Sequence, residues 1–383
     1  MIYTIPYVLL IVFYGVLAVV YQQTAKDSIK NNTIYLSLFT FIIFFGCRGF
    51  VCDDWQSYYP AFQKCSIEYV NYNVFKYNIK WSFEPGFTLL MLLCKNIVND
   101  FNFFVFICTC INTILLYTFF KQRIPNCPLG FLLFISFGGF IMSTNLMRNS
   151  IAILIFINAL KYLENRQFIP YFILCLLAVT FHISSICYIP MYFILHIRTN
   201  KWAYLAIFIV ANIIFVLHIP IFLKIANLFL GETGGFLEMK VQSYTEGLNE
   251  TKTLSIGYLE RVMTGILIFC YYSKLQKIRK GNIIFINSFL LYILFAFLLS
   301  DFSEISLRMS NLFIFSYWVI WTDLIKCFYI KNNKYLYLAF ISIYCVLKMI
   351  GTTNMITSQY DNIIFGAKSY EERLYIHNRF SKN

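Results

Sequence analysis

Read as hydrophobic against polar positions, the chain repeats one pattern: an apolar run of roughly 20 residues, the length needed to cross hydrocarbon, then a short polar connector. Such runs cover 2–21, 33–46, 83–98, 101–120, 129–144, 150–163, 169–181, 183–196, 202–225, 256–272, 282–299, 307–325 and 335–350. They are too long and continuous for the two-residue alternation of a membrane barrel. Backbone in lipid must also bond to itself, so they predict helices. The expectation is an all-α polytopic membrane protein of about 12–13 transmembrane or re-entrant helices. It would form a single integral membrane domain over 1–350, with outer loops near 47–82 and 226–255 and an exposed C-terminal tail over 351–383. The first run lacks a basic start and a small-residue cleavage site, and reads as a retained helix rather than a secretion signal.

Composition sharpens the class. The 383 residues are 59% hydrophobic, 20% aromatic and only 13% charged, which excludes an ordinary soluble domain. The net charge of +13 sits in short connectors, at 121–123, 161–166, 198–201, 274–280 and 326–334, rather than on one face or tail. That is the pattern of cytoplasmic loops, not of a nucleic-acid surface. Twelve cysteines include no Cys-x-x-Cys pair and most lie inside apolar runs, so no zinc or redox site is expected. Cys47, Cys52 and Cys65 lie in or near one loop, where a disulfide is open.

The connector 226–255 carries Glu232, Glu238, Glu246 and Glu250 against Lys240 and Lys252, and is expected outside together with Arg148 and the 300–308 turn. Strict counting then places 47–82 on the opposite face, unless 83–98 fails to cross. Its Glu-Pro-Gly start, its Lys95 and its shortness make it the re-entrant candidate.

Ionisable groups held against a bilayer are costly without a partner or a task, which singles out Arg48, Asp53, Asp54, Glu84, Arg148, His182, Arg261 and Arg308. Arg48 leads Asp53 and Asp54, with Trp55, Tyr58 and Tyr59 interleaved. Cation, acid and aromatic face together suit a sugar phosphate; an interfacial arginine within an aromatic belt is the plainer reading. Glu84 opens a helix, where a carboxylate complements the helix dipole. Arg148 lies between apolar runs beside Asn145 and Asn149 and calls for an anion, either a lipid-linked phosphate or Asp54 or Glu84. His182 divides an apolar stretch and is followed by Ser184 and Ser185, so it is either a proton acceptor or a satisfied structural group. Arg261 and Arg308 each accompany an acid, Glu260 and Glu304, at an outer helix end.

In order along the chain, these residues resemble the landmarks of the EpsG family of Wzy-type polysaccharide polymerases. The landmarks are Arg48 with Asp54, Trp55 and Tyr58; the helix start Glu84 to Phe87; Arg148 with Ala152; Phe181 and His182 with Ser184; and Arg308. Two places depart from the family pattern: Cys52 and Asp53 replace a small Gly-Thr-like pair, and Asn149 stands where glutamine is common.

The resemblance implies transfer of a growing glycan from undecaprenyl diphosphate to the next lipid-linked repeat unit of an exopolysaccharide, capsule or O-antigen. The reaction would run at the outer face of the bacterial cytoplasmic membrane, with no cofactor or metal. Arg148 and Arg308 would hold the diphosphate, and Arg48, Arg261, Asp53, Trp55 and Tyr58 would complete the substrate-binding set. Asp54, Glu84 or His182 would activate or orient the acceptor hydroxyl. The partners implied are the undecaprenyl-diphosphate-linked oligosaccharide and membrane lipid, with a flippase and a chain-length regulator as further candidates. Two other readings compete: a lipid-phosphate-dependent glycosyltransferase using the Asp53–Asp54 pair, and a transporter or flippase of lipid-linked sugars.

Overall fold

The computed structural model describes residues 2–66, 83–221, 255–279, 281–300 and 302–380. The rear of the expected loop 47–82, and the acidic loop 226–255 up to Ser255, lie outside the described residues. In chain order the helices are α1 (Ile5–Gln23), α2 (Asp27–Phe41), α3 (Trp55–Lys64), α4 (Pro85–Ile97), α5 (Phe101–Arg123), α6 (Cys127–Phe134), α7 (Phe140–Thr144), α8 (Met147–Glu164) and α9 (Phe168–Phe181). There follow α10 (Lys201–Val216), α11 (Ile256–Cys270), α12 (Tyr272–Ile278), α13 (Asn282–Leu298), α14 (Ser303–Asn311), α15 (Phe315–Cys327), α16 (Lys331–Thr353) and α17 (Tyr370–Phe380).

Among the described residues no strand forms, and the protein is an all-α polytopic membrane protein. Five helical stretches are long and apolar enough to cross a membrane: Ile2–Gln23, Asp27–Gly46, Phe101–Arg123, Cys127–Thr144 and Lys331–Thr353. In α1 the side chains of Leu9, Val12, Val16 and Val19 are exposed while Tyr7, Leu10, Ile11 and Tyr14 are buried. An apolar face left open on one side suits lipid, because hydrocarbon imposes no cost on it.

The chain divides into two compact units, Met1–Tyr192 with Ile330–Asn383, and Phe193–Tyr329. In the first, the ends of the helices define two poles. At one, Arg123 closing α5 makes a two-point ion pair with Glu164 closing α8, at 2.7 and 2.6 Å. The Asn126 amide there bonds the Ala18 carbonyl of α1. At the other pole lie the start of α8, the end of α9 and the segment 47–65.

The segment 83–98, expected as re-entrant or interfacial, forms the short helix α4. Its first turn adjoins Arg148 through Glu84, while near its other end Lys95 donates to the carbonyls of Gln63 and Cys65 at 2.8 and 2.9 Å. Both ends therefore face the same pole, and 13 residues rise only about 20 Å. Residues 47–65 and Arg148 accordingly share one pole.

Two expectations fail here. The segment 351–383 is not an exposed tail: Arg373 is 3% exposed, and residues 357–363 bond to the backbone of 43–52. Polar residues obscured this, since backbone pairing leaves no hydrophobic period. All twelve cysteines are free thiols, including Cys47, Cys52 and Cys65.

The second unit is held by buried polar groups. The Asn287 amide bonds the carbonyls of Leu195 and Ile197, and buried Asp323 accepts from Lys326 and Asn282.

Candidate functional site

The site is built around the start of α4. Pro85 restricts the residue before it to extended backbone, and Glu84 takes φ −60°, ψ 150° at the N-cap. Its side chain makes no capping bond to its own helix. Instead the carboxylate reaches across the pole. Oε2 accepts from Arg148 Nη1 at 2.5 Å, and Oε1 bonds His182 Nδ1 at 3.0 Å and the Ile183 amide at 3.1 Å. Burial pushes the Glu84 pKa up, but the His182 hydrogen bond and the Arg148 charge outweigh it and hold it at about 2.

Gly86 fixes this geometry. A Cβ there would stand 2.9 Å from the Thr180 carbonyl oxygen at the end of α9, too close for any side chain. Gly86→Ala is therefore expected to push α4 off α9, at about 1–3 kcal/mol. Thermal melting in detergent, together with polymer yield, checks this; an alanine variant as stable as the parent would refute the close-packing argument.

Arg148 occupies the first turn of α8, the electropositive end of a helix and the opposite of where a cation is favoured. Glu84 offsets that conflict. The guanidinium also lies 4.4 Å from the Phe83 ring centroid. Its Nε is buried without a hydrogen-bond partner among the described residues, as is the hydroxyl of Ser184. His182 ends α9 in extended backbone, and a 3₁₀ turn, Ile183–Tyr188, follows where a spanning helix was expected. With Nδ1 held by Glu84, the ring's other nitrogen is the one left for chemistry.

The remaining candidates are placed differently. Arg48 is 3% exposed, and its guanidinium donates to the Ser143 carbonyl at 3.2 and 3.0 Å, with longer bonds to those of Gly49 and Thr144. It caps the C-terminal carbonyls of α7, which corrects its reading as a phosphate ligand. Trp55 and Tyr58 are each 3% exposed. The Trp55 indole N–H donates to Cys52 and the Tyr58 hydroxyl to the Asn145 carbonyl, so their faces are not sugar platforms. Their spacing with Phe62 is that of one helix face, a signal for core that the sequence carried.

Asp53 and Asp54 both donate their amides to the Asn145 side-chain oxygen, at 3.0 and 3.3 Å. The Asp53 carboxylate bonds His377 Nε2 at 3.0 Å. In the second unit, Arg261 donates to the Tyr292 hydroxyl at 3.1 Å, while Glu260 accepts from Thr264. Adjacent helical residues do not face each other, which explains the split of the expected Arg261–Glu260 pair. Arg308 is exposed near the end of α14, and the side chain of Glu304 lies outside the described residues.

Sequence reasoning left Asn145 and the segment 357–377 without roles. Asn145 ties 53–58 to the break between α7 and α8, three residues before Arg148. Cys52 adopts φ 65°, a left-handed conformation that suits glycine, at the place where a small residue is usual in the family it resembles.

The sequence model of the EpsG family matches residues 31–364. No curated protein and no solved structure matches the chain.

Proposed function

The chain belongs to the EpsG family and has the polysaccharide polymerase-like role of that family; on that premise we propose that it extends a glycan carried on undecaprenyl diphosphate. The acceptor hydroxyl of the next lipid-linked repeat unit attacks the anomeric carbon of the growing chain. The bond from that carbon to the diphosphate oxygen breaks, undecaprenyl diphosphate leaves, and the hydroxyl proton passes to His182.

The observation that carries this reading is the bridge from Glu84 to both Arg148 and His182. A guanidinium and an imidazole held by one carboxylate supply the two demands of the reaction within one site. Arg148 stabilises the charge that develops on the departing diphosphate, and its buried unpaired Nε is a donor suited to a phosphate oxygen. Glu84, held ionised at about 2, is too weak a base for neutral pH and acts as a positioning residue. Arg148, Glu84 and His182 thus divide into charge stabiliser, orienter and base.

Orientation follows from charge. Lys26, Lys30, Lys121, Arg123, Lys161 and Arg166 lie at the helix ends and connectors of the pole opposite the site, and the positive-inside rule assigns that pole to the cytoplasm. The site then faces outward from the cytoplasmic membrane, where lipid-linked repeat units are joined.

Arg148→Ala, reconstituted in liposomes with lipid-linked repeat units, is expected to lower polymer formation by about 10²–10³. Arg148→Lys retains a point charge without the planar fork and recovers only part of this. Unchanged polymer length and yield in Arg148→Ala at normal protein levels would overturn the assignment.

A further inference from the structure

The C-terminal segment 354–380 holds the residues that lead into the Asp53–Asp54 bend. The amide of Cys52 donates to Thr357, that of Gly49 to Asp361, and that of Ile363 to Cys47, at 2.9, 3.0 and 2.8 Å. Buried Arg373 donates from Nε to the Phe50 carbonyl at 2.6 Å and lies 3.7 Å from the Asp361 carboxylate. The Tyr370 ring stacks on Tyr59 at 4.3 Å. With Asn145 binding the two aspartate amides, the bend is pinned from two parts of the chain, which is the condition for a strained φ such as that of Cys52 to persist.

One contact is not needed for that anchoring. Asp53 exposes half of its side chain, yet His377 Nε2 meets its carboxylate at 3.0 Å. An exposed contact of this kind adds little to stability. The family match ends at residue 364, so α17, which supplies both Arg373 and His377, lies beyond it. A histidine held against a half-exposed carboxylate, on the segment that Asn145 ties to the start of α8, points to a use in the reaction for this contact.

We propose that α17 positions the acceptor side of the site, with His377 as a positioning residue that orients the Asp53 carboxylate toward the hydroxyl-bearing sugars of the incoming repeat unit. This rests on the polymerase reading above. Asp53 accepts hydrogen bonds from sugar hydroxyls on the oxygen that His377 leaves open, and Arg373 fixes the backbone from which it projects.

The test is initial-rate polymerisation against the concentration of lipid-linked repeat unit, for the full chain and for His377→Ala and His377→Gln. The alanine variant is expected to raise KM about tenfold with kcat and melting temperature retained, the pattern of lost substrate binding. The glutamine variant restores a donor to Asp53 and returns KM to within about threefold of the parent. Wild-type KM in His377→Ala, in a preparation whose parent polymerises, would overturn the proposal alone. A folded parent that forms no polymer would instead overturn the functional reading on which it rests.

Discussion

Glutamine at Glu84 is expected to lower kcat by about 10³–10⁴, the scale seen when a catalytic imidazole loses the carboxylate that fixes its tautomer. The carboxylate accepts on both oxygens, from Arg148 on one side and from His182 and the Ile183 amide on the other. An amide of the same shape has one acceptor and one donor. Whichever way it turns, its NH₂ opposes either the guanidinium, which can only donate, or the imidazole nitrogen that must carry the proton. Glu84→Asp keeps the charge but shortens the reach, and is expected to lose about 10- to 100-fold through misplacement.

The pH dependence follows from the same geometry. The pKa of Glu84 in the folded protein, about 2, lies below the ordinary carboxylate value of about 4.3. Its stabilising bridge is therefore complete above about pH 5 and fades as pH falls toward 2. Single-turnover rates in the glutamine variant equal to the parent's would show that the bridge has no part in the chemistry.

The chemical types at this site were legible in the sequence because an ionisable group amid apolar residues is costly and must have a reason. Arg148, Glu84 and His182 stand out on that ground alone. Their arrangement was only partly legible. The notion that Arg148 pairs with Glu84 was available, but it required α4 to turn back rather than cross. A Glu-Pro-Gly start, a lysine and a short run suggested as much, and Lys95 bonds the carbonyls of Gln63 and Cys65 in the segment that also reaches Asn145.

Arg48, Trp55 and Tyr58 misled for one reason: residue type does not reveal what a side chain faces. Trp55, Tyr58 and Phe62 recur on one face of α3 and pack against Phe50, Phe87, Phe101 and Phe104. That periodicity was readable, and it describes a core. The segment 357–377 offered no such signal. Its anchors are backbone bonds to residues more than 300 positions away, together with one arginine that reads as solvent-exposed until its partners are known.

Alanine at Arg48 tests that distinction and is expected to cost about 3–5 kcal/mol of stability. The guanidinium sits on the last carbonyls of α7, Ser143 and Thr144, where intrahelical donors have run out and the helix dipole is negative. Removing it leaves buried acceptors unpaired just before the break that sets Arg148. Arg48→Met keeps volume but supplies no donor, so it should fall nearly as far. Arg48→Lys offers a single head group in place of the fork, and is expected to recover less than half of the loss.

A phosphate ligand would behave in the opposite way. Its alanine variant would stay folded and show a raised KM for the lipid-linked diphosphate. Melting and KM measured on the same three variants separate the two roles, and a stable Arg48→Ala protein with weakened substrate binding would return Arg48 to the substrate-binding set. The burial of Arg48 at 3% exposure, with its donors turned to main-chain oxygens, makes loss of folding the expected result.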